Sequence, residues 1–208
     1  FSLISLRPKS KKMKNSILFV TIIFGAFVVN AQEKGTSQIN VGYGMASTPE
    51  IIDAFTEILL YPVSLGIISA SNLKSTGAIH INYKSAIENK WMLGATTGFS
   101  DTTQDISVNN AVIGEQKNRA LTFAIESDYR YISNPSFQIY SGLGAGITLT
   151  KGEFDPNNTK ETSIHDNSSY FNYKVTALGL RVGKKLAGFL ELGFGYKGIL
   201  SAGISYQF

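Results

Sequence analysis

Apolar and polar residues alternate with a period of two along most of this chain, the mark of strands whose two faces meet different surroundings. In the last stretch, Ala202, Ile204, Tyr206 and Phe208 form an apolar file against Ser201, Gly203, Ser205 and Gln207. The same pattern sets Ile39, Val41, Tyr43 and Met45 against Gln38, Asn40, Gly42 and Gly44, and Ile79, Ile81 and Tyr83 against Ala78, His80, Asn82 and Lys84. Trp91, Leu93, Ala95 and Phe99 then oppose Met92, Gly94, Thr96 and Gly98. A fourth run pairs Leu121, Phe123, Ile125, Tyr129 and Tyr131 with Thr122, Ala124, Glu126, Asp128 and Arg130. The longest sets Phe137, Ile139, Leu143, Ala145, Ile147 and Leu149 against Gln138, Tyr140, Gly142, Gly144, Gly146 and Thr148. A sixth ends with Leu178, Leu180 and Val182 against Gly179, Arg181 and Gly183; it loses register near Tyr173 to Val175, where a β-bulge would restore it. In the seventh, Leu190, Leu192, Phe194 and Tyr196 oppose Glu191, Gly193, Gly195 and Lys197, so the terminal run is the eighth.

The connections also alternate. Glu88-Asn89-Lys90, Ser133-Asn134-Pro135-Ser136 and roughly Lys184 to Gly188 are tight turns, whereas the first, third and fifth connections are long and the last, around Gly198, is short. Even strand number with short turns at one rim and longer loops at the other is the layout of outer-membrane barrels. The first long connection carries a helix start, Thr48-Pro49-Glu50, followed by Ile51, Ile52, Phe55, Ile58 and Leu59 at helical spacing. This predicts a short amphipathic helix over about 49–60, read as a lid on the mouth or against its own loop. Val63, Leu65 and Ile67 alternate again, leaving open whether 62–70 adds a strand or a loop hairpin.

Alternation alone does not say which file meets water. Gly142, Gly144 and Gly146 share the polar file, where an exposed surface would favour bulkier strand formers but a narrow lumen favours small residues. Tyr43, Tyr83, Trp91, Tyr129, Tyr131, Phe137, Tyr196, Tyr206 and Phe208 lie toward run ends on the apolar file, as interfacial girdles do. Both features turn the apolar file toward lipid. The expected fold is all-β: a transmembrane antiparallel up-and-down β-barrel of about eight strands.

Upstream, Met13-Lys14-Asn15-Ser16 precedes the apolar stretch Ile17 to Val29, and small residues stand at Val29-x-Ala31. This reads as a signal peptide over 13–31, cleaved after Ala31, with 1–12 an upstream extension and 32–208 the barrel domain. The apolar run is shorter than a spanning helix needs. Five of the 19 Lys and Arg lie in residues 1–31, leaving 14 against 15 Asp and Glu. That balance and the lack of a basic stripe exclude a nucleic-acid partner. The chain has no cysteine, so disulfides and thiolate chemistry are excluded.

On these residues the chain resembles the small bacterial outer-membrane β-barrel families, of the kind that includes the outer membrane protein A transmembrane domain, over about residues 37 to 208. The resemblance implies outer-membrane lipid as surroundings. It also implies that Tyr206 and Phe208 are a C-terminal signal for the barrel-insertion machinery.

The polar file concentrates ionisable groups. Lys84, Arg130, Arg181 and Lys197 face Glu126, Asp128 and Glu191, with His80 among them. Charges in a narrow lumen must pair, so a salt-bridge network that largely plugs the barrel is expected. His80 lacks a nearby serine in sequence and reads as one more interior hydrogen-bonding group, and Asp155-Pro156-Asn157-Asn158 falls short of calcium-loop spacing. No catalytic, cofactor or metal residues are assigned. The expected role is structural or loop-mediated binding of an extracellular ligand. A barrel enzyme acting on lipid A or peptides, and a soluble lipocalin-like carrier, are the alternatives.

Overall fold

The computed structural model describes residues 34–54, 64, 67–157 and 163–208; residues 1–33, with the expected signal peptide, lie outside these. The strands are β1 (Ser37–Met45), β2 (Ile68–Ser75), β3 (Ala78–Glu88), β4 (Trp91–Val108), β5 (Ala111–Ser133), β6 (Phe137–Pro156), β7 (Ile164–Gly183), β8 (Leu186–Gly195) and β9 (Leu200–Gln207). Their order is β2-β4-β3-β1-β9-β8-β7-β6-β5, and β4 also pairs with β5, which closes the sheet on itself. All pairings are antiparallel.

The ring has eight positions because β2 and β3 share one of them. β3 pairs with β4 from Glu88↔Trp91 to Ile79↔Phe99, and β2 takes over from Ser75↔Thr102 to Ile68↔Val108. Residues 68–70 thus extend an existing strand, interrupted at Thr76-Gly77, and add none. Residues 62, 63, 65 and 66 lie outside the described part.

Burial is inverted relative to a water-soluble barrel. Ile125 and Leu143 are each 65% exposed, while Lys84 is 1% and Arg130 and Lys197 are 0% exposed. Large apolar side chains point outward from all eight positions, with Met92, Tyr140 and Phe189 as buried inward exceptions, and only hydrocarbon makes so wide an apolar surface stable in isolation. On β4 the outward apolar file runs from Trp91 to Phe99. At ~3.3 Å per residue and a tilt of ~40° this is roughly 20–25 Å high, the height of a transmembrane barrel's apolar band.

Three expectations change. The third connection is not a loop: β4 and β5 continue upward as a hairpin closed by Asn109 and Asn110, both with positive φ (51° and 63°), the conformation a two-residue type I′ turn requires. The strands continue beyond Phe99, but their outer file becomes Asp101, Thr103 and Asp105. With water on that side, alternation in hydrophobicity ends while the backbone ladder goes on. The bulge in β7 falls between Thr176 and Leu178, not at Tyr173 to Val175. Finally, Tyr196 is not on the lipid-facing file. It is 3% exposed and turns inward because β8 ends at Gly195, whose φ of 133° starts the turn.

An ammonium facing hydrocarbon at mid-depth is destabilising, and the outward Ile125 sits halfway along the band. Ile125→Lys is expected to lower folding stability by about 2–4 kcal/mol. Denaturant titration of the barrel refolded in vesicles measures this, with a Lys at Thr103, above the band, as the near-neutral reference.

Candidate functional site

The lumen is built around one ladder row in which charge and glycine alternate. Lys84 on β3 pairs with Gly94, Gly94 with Glu126, Glu126 with Gly144, Gly144 with Lys174 and Lys174 with Gly195. The glycines make room for the long chains beside them. A Cβ at Gly94 would stand 2.7 Å from Lys84 Cγ, and one at Gly144 would overlap the Tyr196 hydroxyl and lie 3.0 Å from Glu126 Cγ.

Six charges form an alternating chain across this space. Asp128 binds Lys84 at 2.7 Å, Lys84 binds Glu126 at 2.7 Å, and Glu126 binds Lys197 at 2.6 Å. Lys197 then lies 4.0 Å from Glu191, which pairs with Lys174. Three ammonium groups against three carboxylates leave the cluster neutral. Hydroxyls complete its shell: Thr96 (2.6 Å) and Tyr196 (2.9 Å) donate to Glu126, and Tyr140 (3.0 Å) donates to Glu191. A carboxylate holding two ammonium groups and two hydroxyls is saturated as an acceptor and has no lone pair to spare for abstracting a substrate proton.

The other sequence-selected residues stand apart from this chain. Arg130 donates to Gln138 and, at 2.8 Å, to Gln38, and its guanidinium stacks 5.1 Å above the Tyr140 ring. Gln207 donates to Gln38 at 2.7 Å, so residues from β1, β5, β6 and β9 knit the lower end together. Arg181 donates to Ser205 (2.8 Å) and to the carbonyls of Lys184 (2.8 Å) and Lys185 (3.0 Å), bracing a turn. His80 is 1% exposed, with Nε2 3.4 Å from Ser201 Oγ and Nδ1 3.4 Å from the Ala78 carbonyl. Tyr206 and Phe208 stack on the outer surface with ring centroids 5.8 Å apart.

Lys174 is the member that sequence reading missed. It lies in the stretch assigned to a bulge, yet Asn172, Lys174 and Thr176 continue one inward file against Phe171, Tyr173 and Val175. That uninterrupted parity was the available signal. Tyr196 was missed because a chain reversal, not strand parity, sets its direction.

Above the ion chain a helix sits at the mouth against β2, β4 and β5. Residues 48–54 are helical; the rest of the expected segment, with Phe55, Ile58 and Leu59, lies outside the described residues. The cap is Ser47, one residue earlier than expected: its carbonyl accepts from Ile51 N–H and its own N–H donates to Glu50, the half of a capping box in which the acid reaches back to the cap. The helix seats itself by its acids. Glu50 accepts from Ser75 Oγ, and Asp53 accepts from Thr102 Oγ1 and, at 3.0 Å, from Asn118 Nδ2, while Ile52 is left exposed. Among the described residues no group of three His, Asp or Glu is placed to hold a metal ion.

No protein-family model and no curated protein matches the chain. Among solved structures it is similar to Ail, the attachment invasion locus protein of Yersinia pestis, at 15% identity and a TM-score of 0.44, over 84% of this chain and 99% of that one. The structure of the same protein in complex with the heparin analogue sucrose octasulfate gives the same figures.

Two outcomes test the site. Glu126→Ala strands Lys84 and Lys197 with one carboxylate fewer each, and removing one partner from a buried pair costs about 3–5 kcal/mol. The variant is expected to lose heat-resistant gel mobility at a lower temperature or to raise single-channel current, and unchanged values of both contradict the network. At the mouth, burial pushes the Asp53 carboxyl up, with the Glu50 carboxylate adding to it, against the lowering effect of the Thr102 and Asn118 hydrogen bonds. A raised folded-state pKa stabilises docking below the unfolded carboxylate range, and that contribution is lost as pH rises through the folded value. A spin label at Ile52 should therefore gain mobility as pH rises from the carboxylate range, and Asp53→Asn should flatten the response.

The ring of eight antiparallel positions, its outward apolar band and its ionic interior give this chain the fold of the small eight-stranded outer-membrane β-barrels.

Proposed function

We propose that the protein is an integral outer-membrane barrel that acts through the part standing above the membrane, and that it is not an enzyme. One observation carries this reading. β2 and the upper halves of β4, β5, β6 and β7 rise past the apolar band as a continuous sheet, while the lumen beneath is lined by buried polar and charged side chains. We infer that these side chains leave no wide diffusion path, so that the surface on offer to the outside is the extension and the helix at its mouth. An eight-stranded interior is about filled by its own side chains in any case.

Export by the signal peptide at 13–31, removed after Ala31, fits this location, and so does the lipid-facing Tyr206 and Phe208 pair as an address for the insertion machinery. The enzyme alternative is disfavoured by His80, which is buried in the lumen with Ser201 and the Ala78 carbonyl at its ring nitrogens and, among the described residues, no carboxylate bonded to them. The lipocalin-like alternative needs an apolar cavity inside and a polar coat outside, the reverse of the arrangement here.

Expression of the full chain in a Gram-negative host followed by envelope fractionation tests the reading. The protein is expected in the detergent-extracted outer membrane as a heat-modifiable band. Protease added to intact cells should clip the extension and leave a folded, membrane-embedded core. Recovery in the soluble fraction, or complete protection of the extension, overturns it.

A further inference from the structure

Just above the apolar band, the outer face of β4 to β7 is sorted by charge in successive ladder rows. The top row of the band is Phe99, Leu121 and Leu149. The next row up is Asp101, Arg119, Lys151 and Asn167, the one after it Thr103, Lys117, Glu153 and His165, and the third Asp105, Glu115 and Asp155. Net positive charge is therefore confined to the row nearest the hydrocarbon, the second row balances Lys117 against Glu153, and the row farthest from it is wholly acidic. Such ordering has a direction: it presents positive charge at the depth where lipid headgroups lie and negative charge to the solution beyond.

Lys117, Arg119, Lys151, Gly152, Glu153, His165 and Asn167 line a groove of about 320 Å³ here. Arg119 and Lys151 are direct cross-strand partners, a strand spacing of ~4.8 Å apart. Arg119 is 61% exposed and engages Asp101 through Nε, at 3.4 Å, and Lys151 is exposed with no carboxylate against it among the described residues. Lys117 is held at the groove's upper side by Glu115 (3.1 Å) and Asp155 (3.2 Å), and the His165 ring lies 3.9 Å from Glu153. The free terminal nitrogens of Arg119 and the Lys151 ammonium form a fork able to hold two oxygens of one phosphate, with the acyl chains of its owner lying on Leu121, Leu149 and Phe171 below.

We propose that this groove is a binding site for the phosphate of a membrane lipid, with Arg119 and Lys151 as its direct ligands and Lys117 and His165 at its upper margin. The site rests on the membrane reading above, since only in a bilayer does the groove meet headgroups. A soluble phosphate or a sulfated glycan would share the charge chemistry but gain nothing from the apolar row beneath, and the sorting of charge by depth has no meaning for either.

Native mass spectrometry of the folded protein in zwitterionic detergent tests this, comparing phosphatidic acid with phosphatidylcholine of the same acyl chains. Wild type is expected to retain phosphatidic acid over phosphatidylcholine. The double variant Arg119→Ala with Lys151→Ala should lose that preference by about tenfold or more, the effect of removing two charge-assisted contacts. Lys184→Ala with Lys185→Ala, at the opposite rim, should leave it unchanged. Heat-modifiable migration is recorded for every variant, so that a barrel still folded in the membrane with no phosphate preference defeats this site without touching the membrane reading. Equal retention of both lipids by wild type, or undiminished preference in the double variant, overturns the proposal. Displacement of the lipid by inorganic phosphate or by a soluble sulfated oligosaccharide at equal concentration also overturns it, in favour of a site for free anions.

Discussion

Six charges enclosed in a protein wall must neutralise one another, and the rest of this structure is arranged so that they do. Asp128, Lys84, Glu126, Lys197, Glu191 and Lys174 alternate in sign from one side of the lumen to the other. Removing such groups from water is expensive, and only close pairing with full hydrogen bonding offsets it. The requirement propagates outward. Long side chains need space, so their ladder neighbours are glycines at 94, 144 and 195. Every inward position spent on polar groups is one the core cannot use for apolar burial, so the apolar side chains occupy the only other face, and that face is stable only against lipid. Ion chain, glycine row and outward band are thus three consequences of one arrangement.

The same logic gives the molecule two regions with different physics. Within the band each strand meets hydrocarbon on one side and a lumen of buried polar side chains on the other. Above it, β2 and the upper parts of β4 to β7 have water outside and the helix 48–54 inside, and the interactions become those of a surface: exposed pairs such as Lys117 with Asp155, and acids of the helix reaching Thr102, Asn118 and Ser75. Surface pairs are individually weak. The extension is accordingly the part free to be shaped by what it meets, while the band is shaped by the bilayer.

How much of this was legible in the sequence follows from that division. Period-two alternation marked all eight ring positions, because in the band the two files differ sharply in polarity, and it placed Lys84, Glu126, Asp128, Arg130, Arg181, Glu191 and Lys197 on the inward side, where the structure has them buried. Just above the band both files are polar, so the extended β4–β5 hairpin read as a loop although its ladder runs on, through one register shift at Ile106 and Ser107, to Val108 and Ala111. Asn109-Asn110, a turn pair with positive φ, was the local clue to it. Lys174 was lost to a misplaced bulge, and the inward turn of Tyr196 depends on Gly195, a backbone event that side-chain patterning does not register. The ion pairs themselves join strands across the lumen, Lys197 to Glu126 for instance, and no local pattern encodes which cation meets which acid.

The central claim is the direction in which the apolar file points, and a collision map of spin labels in lipid vesicles tests it most directly. Labels at Leu192 and Ile204 should collide with oxygen dissolved in the bilayer and be shielded from a water-soluble nickel chelate, whereas labels at Thr103 and Asn167, on the same outer surface above the band, should show the opposite preference. Labels at Leu192 and Ile204 as open to the chelate as those at Thr103 and Asn167 would contradict the account.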